Sequence, residues 1–74
     1  MASKTASELA RGDIITLDGR DWVVTSTPGR NVYNKAEIAF FTRENKVGGC
    51  GVNRSLPASR QVTLSDAPRA RASL

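Results

Sequence analysis

The sequence predicts an all-β domain, a small five-stranded barrel with a short N-terminal helical turn and a disordered C-terminal tail. Three observations carry that expectation. The chain has 74 residues, enough for one small domain. Its apolar residues come in short runs rich in β-branched and aromatic types, Ile14-Ile15, Trp22-Val23-Val24 and Ile38 through Phe41. Glycine, proline and asparagine separate these runs at short intervals, as in small sandwiches and barrels.

The elements follow in order. Thr5 and Glu8 have capping-box spacing, so the first ten residues read as one helical turn, with Leu9 folding back onto a core. Gly12 can take the left-handed conformation that stops the turn. Asp13 to Leu17 and Trp22 to Thr27 then form a hairpin around Asp18-Gly19, a strong two-residue turn signal. Period-two alternation places Ile15 and Leu17 on one face, with Trp22 and Val24 on the matching face of the return strand. These four residues are the expected core.

Pro28-Gly29-Arg30-Asn31 ends that strand and opens a polar loop through Lys35. A third strand runs from Glu37 to Thr42, where adjacent Phe40 and Phe41 point to opposite faces. Phe40 is expected in the core, and a tightly wrapped barrel is expected to cover Phe41 as well. Arg43 to Lys46 forms a charged turn before a fourth strand, Val47 to Val52. Its Gly48, Gly49 and Gly51 suggest a bend or a close backbone approach. Leu56 to Ser59 reads as a tight turn feeding the last strand, Arg60 to Leu64, whose Val62 and Leu64 close the core. The barrel is expected over residues 1–65 and a disordered basic tail over 66–74. SH3-like topology suits this length best, with an OB-fold second.

Ala6 through Ile15, with Asp18-Gly19-Arg20-Asp21-Trp22-Val23-Val24 and Pro28-Gly29-Arg30, resembles the N-terminal domain of elongation factor P over residues 6–43. The resemblance implies a KOW-like, SH3-type barrel. It implies no more, because Arg30 stands where that family carries its modified lysine, and a guanidinium offers no comparable nucleophilic amine. Asn31-Val32-Tyr33-Asn34 replaces the glycines that follow that lysine.

Composition narrows the function. With no histidine and one cysteine, the chain can form neither an internal disulfide nor a Ser–His or Cys–His pair. A non-catalytic protein without cofactor or metal is expected. No apolar run approaches the ~20 residues that span a bilayer, and no apolar leader opens the sequence, so a cytoplasmic location is expected. Cys50, flanked by glycines, is expected to be a small buried apolar group. Asp13, Asp18 and Asp21 gather at the first hairpin, where turn and strand-end roles outweigh a catalytic one.

The net charge of +4 is uneven. Residues 1–27 hold three cations against four acids, whereas residues 28–74 hold eight cations against three acids. Arg30, Lys35, Arg43, Lys46, Arg54 and Arg60 are expected in or beside loops, where they could neutralise phosphates. Arginines outnumber lysines by eight to three, which suits bidentate contacts. Tyr33 between Arg30 and Lys35 could stack on a base. The leading expectation is therefore a module that binds nucleic acid, RNA or DNA. The alternative is a protein–protein adaptor or inhibitor, of a kind found in phages and mobile elements. It would meet an acidic protein surface, with Phe41 as partner contact.

Overall fold

The computed structural model describes residues 2–70. Alternating apolar residues build one antiparallel sheet of seven strands: β1 (Ser3–Thr5), β2 (Ile14–Leu17), β3 (Arg20–Val24), β4 (Gly29–Arg30), β5 (Glu37–Glu44), β6 (Gly51–Pro57) and β7 (Gln61–Leu64). The strand order is β1-β7-β2-β3-β5-β4, with β6 on the other edge of β5. Among the described residues β6 pairs only with β5 and β1 only with β7, so the sheet curls into a half-barrel.

The hairpin forms as its sequence directs. Asp18 and Gly19 both take positive φ, 54° and 75°, the geometry of a type I′ turn that matches strand twist. Register then sets Ile15 opposite Trp22 and Leu17 opposite Arg20. Ile15, Leu17, Trp22 and Val24 are all buried on the concave face, packed with Ala6, Leu9, Ile38, Phe40, Leu56 and Val62. The Trp22 indole N–H donates to the Leu17 carbonyl, so its polar end is satisfied inside the core. Ala6–Glu8 is a single 3₁₀ turn, and the Glu8 carboxylate accepts from both the Thr5 N–H and hydroxyl.

Several boundaries depart from the sequence reading. β1 and β4 are additional short strands, formed because β7 and β5 offer free edges to them. Val47–Cys50 is a turn rather than a strand, and pairing resumes at Gly51. Gly49 does mark a close approach, since a Cβ there would collide with the Glu44 carbonyl. Leu56 and Pro57 continue β6, because β5 is long enough to pair with it through Glu37–Pro57. Cys50 is exposed, contrary to the buried role expected of it. It lies in that turn, outside the register that faces the core.

Asp13, Asp18 and Asp21 serve the fold. Asp13 pairs with Lys4 at 3.1 Å and accepts from the Ala10 N–H, while Asp21 accepts from the Thr16 hydroxyl. Asn45 reaches the C-terminal segment: its amide donates to the Pro68 carbonyl (3.1 Å) and its Oδ1 accepts from the Ala70 N–H (2.7 Å). The rest of the expected basic tail, residues 71–74, lies outside the described residues.

Candidate functional site

The convex face of β5 and β6 holds the residues that are not consumed by the core. Directly opposite residues in an antiparallel pair share a face. Glu37, Ala39, Phe41 and Arg43 therefore lie on the same side as Pro57, Ser55, Asn53 and Gly51. Phe40 is 2 % exposed on the concave side, whereas Phe41 is 56 % exposed on the convex side. Curling encloses only the concave face, and Phe41 points away from it, which corrects the expectation that curling would bury both rings.

A loop from Arg30 to Ala36 stands over this face. Tyr33 donates its backbone N–H to the Asn31 side-chain oxygen, and Ala36 does the same to Asn34. The Arg30 guanidinium donates to the Lys35 carbonyl at 2.9 Å, closing the loop across its base. Asn31 then crosses to the sheet, donating to the Ser55 hydroxyl, which itself donates to the Glu37 carboxylate. These bonds fix the backbone while leaving Val32 80 % and Tyr33 96 % exposed. Between loop and sheet runs an open groove of about 360 Å³, lined by Arg30 to Tyr33 on one side and by Ala39, Asn53, Arg54 and Ser55 on the other. Phe41, outside the lining, is the cross-strand neighbour of Asn53 on the same face.

The structure brings some of the expected residues together and separates others. Arg30 and Tyr33 share the groove, with Lys35 in the same loop. Arg54 is not in a loop. It lies within β6 opposite Phe40, and its guanidinium sits 4.2 Å from the centre of the Trp22 ring while Nε donates to the Thr42 hydroxyl. That stacked, half-buried cation shields Trp22, at the cost of much of its freedom to meet a ligand. Arg43 and Lys46 line a separate cleft with Val23, Asn45 and Arg69. There Arg43 Nε donates to the Gly49 carbonyl, and Lys46 lies 3.6 Å from Glu44. Arg60 is exposed between β6 and β7, where its carbonyl accepts from the Ala6 N–H, and it lines neither cleft.

Sequence reasoning did not single out Asn31, Asn53 or Ser55. Their role follows from cross-strand neighbours that no local pattern reveals. Among the described residues no group of three or more cysteine or carboxylate side chains converges as a metal site would require. No helix there is long and apolar enough to cross a membrane. No protein-family model matches the chain, and no curated protein matches it.

Proposed function

We propose that this protein is a non-catalytic binding module that contacts nucleic acid through its convex face. One observation carries the reading: a fixed loop holds Tyr33 almost fully in solvent, in the same loop as two cations and over a groove whose Asn53 is the cross-strand partner of exposed Phe41. Exposed aromatics interleaved with cations are what a base-and-phosphate polymer requires. Arg30, Lys35 and Arg43 are the phosphate contacts in this reading, since none of them is held by a carboxylate among the described residues. Arg54, Lys46 and Arg60 become secondary. The SH3-like, KOW-like reading and the likeness to the first domain of elongation factor P belong to the same proposal, supported by the curled all-strand sheet and the Asp18-Gly19 hairpin. A cytoplasmic location goes with it.

Fluorescence anisotropy with labelled RNA, single-stranded DNA and duplex DNA across a salt titration tests it. Binding should weaken with salt at a slope reporting about two to four neutralised phosphates. Joint reversal of Arg30, Lys35 and Arg43 to glutamate should abolish it, and unchanged affinity would overturn the reading.

A protein–protein adaptor is the second reading, favoured by the outer edge of β6, unpaired among the described residues, and by exposed Phe41 and Val47. Unpaired strand edges readily accept a further strand. Salt-insensitive capture of a protein, or self-association lost in Phe41→Ala, would select it.

A further inference from the structure

The groove is narrower in its demands than nucleic acid as a class. We infer that it takes an unpaired base of a single-stranded nucleic acid, stacked on Tyr33 or Phe41, with Arg30 and Lys35 on the flanking phosphates. This rests on the binding-module reading above and specifies its polymer.

Size and shape come first. At about 360 Å³ the groove falls at the lower end of the range of small-ligand sites, ~300–1,000 Å³. That volume suits a base or a nucleotide. The two exposed rings are the second point. Base pairs in a duplex are stacked on each other, so a tyrosine presented by a loop finds a free π-face only where a base is unpaired. Tyr33 is held for such contact rather than for stability: its phenol makes no hydrogen bond among the described residues, while its backbone is tied to Asn31. A fixed loop loses little freedom on binding, which favours affinity.

The polar lining is the third point. Asn53, on the groove floor beside Phe41, makes no side-chain hydrogen bond among the described residues and can donate to and accept from a base edge. Asn31, Ser55 and Glu37 are instead occupied with one another, so they shape the wall. Charge completes the match. Arg30 lines the groove and Lys35 follows in the same loop, and Arg43 lies two residues beyond Phe41 on the same face, roughly 7 Å along the strand. The nearby carboxylate, Glu37, is engaged by Ser55.

The test compares a fluorescein-labelled oligouridine, the matching oligothymidine and a duplex of mixed sequence, by anisotropy at one salt concentration and then across salt. The single strands should bind at least tenfold tighter than the duplex. Tyr33→Ala should weaken single-strand binding about fivefold or more, with the salt slope unchanged, because a stacking contact and no phosphate contact is lost. Tyr33→Phe should retain affinity. Both variants change an exposed side chain, so circular dichroism should show an intact fold. Duplex binding as tight as single-strand binding, with Tyr33→Ala and Phe41→Ala both silent, overturns this inference and leaves the broader reading standing. Absence of binding to every polymer at low salt overturns both.

Discussion

The two ends of the convex face of β5 are treated differently by the same chain. At the C-terminal end Val23 lies opposite Arg43 on the outer side of the sheet, yet it is 4 % exposed. The residues after β7 return across that end, and Asn45 clasps them through Pro68 and Ala70. At the N-terminal end the face is bare, and Phe41, Val32 and Tyr33 stand in water around a groove. A chain able to cover one apolar outer residue, Val23, with its own C-terminal segment leaves two larger rings, Tyr33 and Phe41, open. Burying a Phe or Tyr ring is worth about 1.5–3 kcal/mol, so leaving them open forgoes a substantial stabilisation in a domain this small. In the reading proposed above, the covered end is a structural surface and the open end a binding surface.

The sharpest way to break this comparison is to exchange the two adjacent rings. Phe40→Ala should cost about 3–5 kcal/mol in chemical denaturation, enough to unfold most of a marginal domain. Phe41→Ala should change stability by less than about 0.5 kcal/mol. A large loss at Phe41 would mean that the open end is structural after all. Gly49→Ala comes next: the added methyl meets the Glu44 carbonyl, and the turn must shift at a cost of about 1–3 kcal/mol. Asn45→Ala should cost about 1 kcal/mol and speed hydrogen exchange at the Ala70 amide, while leaving exchange in β2 and β3 unchanged. Exchange at Ala70 unaltered by Asn45→Ala would remove the clasp from the account.

The smallest effect concerns pH. Glu8 titrates below the usual carboxylate value because the Thr5 backbone N–H, then the Thr5 hydroxyl, bond to its ionised form. A depressed folded pKa adds stability that is complete above the unfolded value and is lost as pH falls through the folded one. Carboxyl NMR should show Glu8 titrating low in the native protein. Thr5→Val should move it part of the way back, since the backbone bond survives. A Glu8 titration unaffected by that change would mean the hydroxyl plays no part.

Much of the core was legible. Alternation around Asp18-Gly19 located Ile15, Leu17, Trp22 and Val24, because a two-residue turn leaves one register that buries all four. The Thr5–Glu8 spacing located the first turn for the same local reason. β1 and β4 were not legible, since strands of three and two mostly polar residues exist through their partners. β6 was obscured by Asn53, Arg54 and Ser55, residues with weak strand preference that pairing with β5 overrides. Arg54 occupies an inward position, which patterning reserves for apolar residues, because Trp22 offers its ring as a seat. The candidate site was legible as Arg30, Tyr33, Lys35 and Phe41, though not as one place. The Asn31–Ser55 bond that shapes it joins residues 24 apart, and the Asn45 clasp spans 23 and 25, separations that no local pattern encodes.

The most direct measurement is an amide-correlation NMR titration of the labelled protein with a short oligouridine. Shift changes are expected at Arg30 to Lys35, Ala39, Phe41, Arg43 and Asn53 to Ser55, with Asn45 and Ala70 unmoved. Changes confined to Lys46 and Arg69, or none at any concentration, would contradict this reading.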